Sequence, residues 1–330
     1  MRIKSWIYGV LSLGLAASVS ADDSLMLAGY DVIRDYYQRY LPVFTQQYQQ
    51  QQQKQLTVAQ SFTSASKQAI AVQNGLPADV VTLNQQNDID GLVAKGLVAK
   101  NWRQAYPNQA QPFHTVVVFL VREGNPKQIH DWQDLARDDV KVVFANPKTS
   151  GSGRYVYLSA LGYAHKKWQD PNKIEHFIAT FLKNVPVFDS GARAASITFS
   201  QRDIGDVLIT AENEAALLAQ AQQQKSHFSL VYPSISATIP VVVAEVQKNT
   251  ARHQNQALAQ QFLHSLWQPQ AQQIAAESYL RPNNPDIFLQ YQARFPKIDT
   301  FDLNQHFGDW QQINQRYFAD GGQLDRLYLK

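Results

Sequence analysis

Short apolar, β-branched runs alternate along this chain with segments whose apolar residues recur every three or four positions. Residues 25–28, 56–59, 78–83, 115–121, 140–144, 185–188, 205–210, 228–232 and 239–244 read as strands. Residues 32–41, 69–73, 155–163, 172–182, 194–199, 212–222, 256–267, 269–278 and 310–318 read as helices. The run at 46–55 is almost all Gln and reads as the solvated end of the first helix plus a turn. Strands that alternate with helices predict an α/β fold with mostly parallel sheets flanked by helices. In such sheets ligands gather at the carboxyl ends of strands, where loops meet helix N-termini.

Four loops stand at such junctions. Gly29-Tyr30-Asp31 opens the first helix, and Asp31 reads as its N-cap, with its own backbone N–H at the helix start. Gln60-Ser61-Phe62-Thr63-Ser64-Ala65-Ser66-Lys67-Gln68 is a small polar loop before the second helix. Asn146-Pro147-Lys148-Thr149-Ser150-Gly151-Ser152-Gly153-Arg154-Tyr155 joins a strand to a helix, and Asp189-Ser190-Gly191-Ala192-Arg193 does the same. A Ser/Gly-rich helix start builds a nest of backbone N–H groups, which holds an anion without a cation touching it. Ser150 and Ser152 add hydroxyl donors. An ordinary strand-to-helix connection with Ser as N-cap has the same local sequence.

Composition narrows the function. The chain has 330 residues, 45% hydrophobic and 17% charged, enough for one large or two medium domains. A net charge of +3 implies no nucleic-acid partner. With no Cys, disulfides and thiolate chemistry are excluded. The His are scattered, and His130 stands alone at a turn, so zinc-type spacing is absent. No Gly-x-Ser-x-Gly elbow, phosphate-binding Gly-Lys-Ser/Thr loop or strand–Gly-x-Gly-x-x-Gly–helix unit occurs. Glu212 and Glu214 stand two apart on a helix and face apart, so they read as solvated or salt-bridged rather than as a catalytic pair. An enzyme is the weakest reading.

Residues 1–21 read as a cleavable export signal. Arg2 and Lys4 form the basic end, Trp6 to Val19 the apolar stretch, and Val19-Ser20-Ala21 the cleavage site. Without Arg2 and Lys4 the mature chain carries 28 basic against 27 acidic residues, a net +1. The expected product is soluble and exported, periplasmic in a Gram-negative host. It retains Met26 alone and no Cys, which fits either compositional drift or a protein made when sulfur is scarce.

Four stretches then carry a resemblance. They are Phe119-Leu120-Val121-Arg122-Glu123-Gly124-Asn125-Pro126-Lys127-Gln128-Ile129-His130-Asp131-Trp132, Asn146-Pro147-Lys148-Thr149-Ser150-Gly151, Asp189-Ser190-Gly191-Ala192-Arg193 and Gly205-Asp206-Val207-Leu208-Ile209. From about Ala28 onward the chain resembles the periplasmic sulfate- and thiosulfate-binding proteins of ABC importers. The resemblance implies a two-lobed periplasmic-binding-protein-like fold that closes on its ligand in a cleft between the lobes. It places one lobe at 22–115 plus about 236–290, the other at 116–235, and a C-terminal tail at 291–330 packing on both. It further implies a monomer without cofactor or metal, a small inorganic oxyanion as ligand, and a membrane permease as partner.

By motif, the ligand-binding positions fall on Asp31, Ala65, Ser150, Gly151, Ser152, Ala192 and Ala211. Two depart from the family pattern. A ligand-contacting Ser is replaced by Ala65, which keeps the N–H and loses a hydroxyl. A Trp is replaced by Ala211, which loses an indole donor and opens space for an anion larger than sulfate. Ser64, Ser66 and Thr210 are candidate compensating donors. The alternative is the same fold with weakened or altered binding, taking another oxyanion or serving a structural or surface role.

Overall fold

A computed structural model describes residues 22–221 and 228–328. The segment read as an export signal lies outside the described residues. The strands in chain order are β1 (Asp23–Tyr30), β2 (Leu56–Thr63), β3 (Val80–Leu83), β4 (Phe113–Arg122), β5 (Val142–Ala145), β6 (Phe188–Asp189), β7 (Val207–Ala211), β8 (Phe228–Val231), β9 (Ile235–Glu245), β10 (Arg281–Pro282) and β11 (Asp299–Phe301). Their main order is β2-β1-β3-β9-β4-β7-β5-β6.

The expected parallel pairing holds at both ends of this order. β1 runs parallel to β2 and β3, and β5 runs parallel to β6 and β7. The middle is antiparallel, through β4 and β9. β4 changes partner halfway. Phe113–Val116 pair with Val241–Thr238 of β9, and Val117–Val121 pair with Ala211–Val207 of β7. β9 likewise meets β4 first and then β3, through Val242–Glu245. Two long strands therefore cross from one part of the sheet to the other.

β4 explains its own sequence. Val117, Phe119 and Val121 face the main core, while Val116, Val118 and Leu120 face a second cluster with Ala195 and Phe199. A strand buried on both faces needs no polar alternation, hence the unbroken β-branched run. β2 shows the opposite case. It continues to Thr63, beyond the expected end at 59, because an unbroken parallel ladder with β1 runs from Asp23↔Leu56 to Tyr30↔Thr63. As the edge strand, β2 is mostly half-buried or exposed, so its polar side chains hide its extended backbone.

The Gln-rich stretch continues the helix Arg34–Gln52, which stops where Gln53 turns left-handed at φ 54. The helix Gly151–Lys167 begins four residues earlier than the apolar pattern indicates. The segment 185–188 contributes only Phe188–Asp189 as strand. In the tail, Trp310–Ile313 is an α-helix that widens into a π turn over Asn314–Phe318. Among the described residues no helix is long and apolar enough to cross a membrane. Nor do three His, Cys, Asp or Glu side chains gather there as a metal site would require.

Candidate functional site

The four loops meet. β1 ends at Tyr30 and turns directly into the 3-10 turn Asp31–Ile33, so Asp31 opens the turn and Tyr30 occupies the cap position. This corrects the N-cap reading of Asp31. Its carboxylate accepts locally from the Val32 N–H, through Oδ1 at 3.1 Å, and reaches the distant Arg193 N–H through Oδ2 at 3.3 Å.

β2 ends at Thr63, and Ser64 caps the helix Ala65–Gln73 without a side-chain hydrogen bond to it. The Ser64 hydroxyl donates to the Thr149 carbonyl at 3.2 Å. The Thr149 hydroxyl donates to the Ser190 carbonyl at 3.1 Å. A Cβ placed on Gly191 would lie 3.0 Å from Asp31 Oδ2 and 3.3 Å from Ser64 Cβ. Four loops from both ends of the sheet thus converge within a few ångströms.

Each helix here leaves its first N–H groups without an intrahelical partner. The Ser64 side chain satisfies none of them, and Gly191 has no side chain to do so. Ser150 does, accepting from the Gly153 N–H at 3.4 Å. That bond uses a lone pair of the hydroxyl and leaves its hydrogen available to a ligand. Gly153 must be glycine, since a Cβ there would sit 2.1 Å from the Ala145 carbonyl oxygen of β5. Close approach of helix to strand therefore fixes where the Gly151 and Ser152 N–H groups stand.

Arg193 follows the Ala192 N–H but turns its guanidinium to carboxylates. Nη2 lies 2.5 Å from Asp35 Oδ2, and Nη1 lies 3.5 Å from Glu214 Oε1. Burial lowers the Arg193 pKa, but Glu214, Asp35 and Asp31 outweigh it and the net shift is upward. Burial raises the Asp31 carboxyl above its usual range, against the pull of the Arg193 and Val32 N–H groups. Lys148 points away to Asp325, at 2.8 Å.

Glu212 and Glu214 are buried at the start of the helix Glu212–Ala221, which overturns the solvated alternative. Glu212 is salt-bridged to Arg281 at 2.6 Å. Asn213 between them donates to the Val32 carbonyl at 3.3 Å, tying this helix start to the Asp31 turn.

Asp31, Ser64, Ala65, Ser150, Gly151, Ser152 and Ala192 therefore lie on converging loops. The others scatter. The Ser66 hydroxyl is 3.4 Å from Asp88 and donates to it. Thr210 and Ala211 are the last two residues of β7, immediately before the helix start that Asn213 ties to the Asp31 turn. Asn84 and Gln85 were not singled out from the sequence. They follow β3 and press against Gly151. The available signal was a run of amides, Asn84-Gln85-Gln86-Asn87, at the carboxyl end of an apolar strand.

The profile of the family described as bacterial extracellular solute-binding protein matches residues 30–281. The chain belongs to this family. Among its relatives, a thiosulfate-binding protein of Pseudomonas aeruginosa is 45% identical over 317 residues, covering 96% of this chain and 95% of that protein. A sulfate-binding protein of Escherichia coli is 40% identical over 327 residues, covering 98% and 99%. The solved sulfate-binding protein SubI from Mycobacterium tuberculosis superposes with a TM-score of 0.79 at 29% identity, covering 90% of this chain and all of that one. This solute-binding protein accordingly has the two-lobed α/β fold of its family.

One pH effect follows from the same cluster. Burial pushes the Glu214 carboxyl from its ordinary 4.5 up to about 7, against the pull of Arg193. A raised carboxyl stabilises the fold fully below its unfolded pKa and loses that contribution as pH rises through the folded value. Stability should therefore fall between about pH 5 and pH 8, with Glu214 contributing on the order of 3 kcal/mol. Asp88, raised by burial to about 6, adds to the same slope. Thermal unfolding of Glu214→Gln should show a flatter profile across that window. A slope unchanged from the parent would mean that Glu214 ionises freely.

Proposed function

We propose that this solute-binding protein captures a small inorganic oxyanion, sulfate or thiosulfate, and delivers it to the permease of an ABC importer. The observation that carries the reading is the convergence of the helix starts at Ala65, Gly151 and Ala192 with the Asp31 turn, while Arg193 is spent on carboxylates. Backbone N–H groups of Asp31, Ala65, Gly151, Ser152 and Ala192, with the Ser150 hydroxyl, supply the donors. Several helix dipoles share the ligand's charge, so no cation needs to touch it. Each hydrogen bond to a charged group contributes roughly 1.5–3 kcal/mol.

The lobes are 22–115 with about 236–290, and 116–235, with 291–330 as a tail. The change of partner along β4 at Val116–Val117 supports that division. The protein acts in the periplasm as a monomer, after loss of residues 1–21, and catalyses no reaction. Identities of 45% and 40% to proteins named for thiosulfate and sulfate support the ligand class.

Titration calorimetry with sulfate, thiosulfate, molybdate and phosphate tests the reading. Sulfate or thiosulfate should bind with a Kd of about 1 μM or tighter, near −8 kcal/mol. Flat traces for all four anions would remove it.

A further inference from the structure

Asn84 and Gln85 connect β3 to the helix Gln86–Ala94 and are both buried, with relative exposures of 1% and 0%. Gln85 has an extended backbone, φ −138 and ψ 129, and its side chain does not cap the helix it precedes. Among the described residues neither Gln85 Oε1 nor Nε2 has a hydrogen-bond partner. Asn84 Nδ2 donates to Ser152 Oγ at 3.2 Å, but Asn84 Oδ1 has no partner. Both amides lie against the anion loop: a Cβ on Gly151 would sit 2.5 Å from Asn84 Oδ1 and 2.7 Å from Gln85 Oε1.

Leaving a buried polar group unpaired is costly, and the Asn84 and Gln85 amide atoms stand out among the unpaired ones by lying against the Gly151 loop. Which way an amide is flipped does not matter here, because Gln85 is unpaired at both ends. It presents two N–H donors and one carbonyl acceptor next to the Gly151 and Ser152 N–H groups.

Building on the anion site proposed above, we infer that Gln85 is a direct ligand contact and a specificity determinant, selecting oxyanions that carry an O–H group alongside fully ionised ones. Its N–H group serves a dianion such as sulfate. Its carbonyl is satisfied only by a donor, which an O–H-bearing anion such as hydrogen phosphate brings and sulfate does not. Asn84 holds Ser152 in place beside it.

The test is calorimetry of the full mature chain near neutral pH with sulfate, thiosulfate and phosphate, for the parent, Gln85→Met and Gln85→Glu. Methionine keeps the length and removes both polar atoms. Its affinity for the anion that the parent binds most tightly should fall about ten- to a hundredfold, with the phosphate-to-sulfate affinity ratio falling as well. Gln85→Glu places a carboxylate against the anion and should lose more. If Gln85→Met does not fold, Gln85→Leu, which likewise removes both polar atoms without adding a charge, takes its place in the same comparison. A variant Kd within twofold of the parent for every anion, with the ratio unmoved, would show that the amide meets only water and would overturn the inference. A parent that binds none of the three anions defeats the anion site itself, and this inference with it.

Discussion

Gly151→Pro is expected to keep the fold and lose the anion, with affinity falling by at least one to two decades. Gly151 is the first residue of its helix, where proline is favoured because that N–H has no intrahelical partner. Ser150 before it is extended, at φ −133 and ψ 125, which is the conformation a residue before proline prefers. The new ring meets only the ends of the Asn84 and Gln85 side chains, which lie 2.5–2.9 Å from where its Cβ would stand and can swing aside. What disappears is one N–H directed at the ligand, worth roughly 1.5–3 kcal/mol, plus whatever the displaced amides contribute. Calorimetry should show the loss while thermal unfolding moves by only a few degrees. An unchanged Kd would take the 150–152 loop out of the site.

Arg281→Met should produce the largest loss of stability. Glu212 is fully buried and accepts two parallel bonds from Arg281, Nε to Oε2 at 2.6 Å and Nη2 to Oε1 at 2.9 Å. Tyr232 donates to Oε1 as well, at 2.9 Å. Removing one partner of a buried pair strands a charge, which costs about 3–5 kcal/mol. At roughly 2–4 °C per kcal/mol, Tm should drop by about 10 °C at neutral pH. Burial already raises the Glu212 carboxyl above its usual range, against the pull of Arg281. Without Arg281 the acid form is favoured further. A raised carboxyl contributes stability at low pH and loses it as pH rises. The deficit should therefore shrink near pH 5, and Glu212→Gln added to Arg281→Met should recover part of it. A Tm shift under about 2 °C at both pH values would contradict this account.

The site was legible from the sequence where backbone chemistry builds it. The loops around Ser150 to Gly153 and Gly191 to Arg193 were legible because a strand, a small polar loop and a helix start leave a local signature, while the single positions within them, Ala192 included, came from the family resemblance. Asn84 and Gln85 were missed because an amide run after a strand looks like any solvated turn. Only the approach of Gly151 places it against the 150–152 loop. Ser66 looked like a spare donor until Asp88 came within 3.4 Å of it. For Glu212 and Glu214 the sequence left solvated and salt-bridged open, because their partners, the buried Arg281 and the half-buried Arg193, lie outside the local pattern.

By itself the sequence determined most of the order of strands and helices and the family, since periodicity, turn residues and short motifs are local properties; the helices Gln86–Ala94, Gln247–His253 and Pro285–Tyr291 and the short strands β10 and β11 escaped it. The tertiary structure decided which ends of β4 and β9 pair with which neighbours, and hence that loops from distant parts of the chain share one cleft. It also decided that Arg193 pairs with Asp35 and Glu214. Those outcomes depend on contacts between residues far apart in the chain, and burial alters their chemistry only after those contacts form.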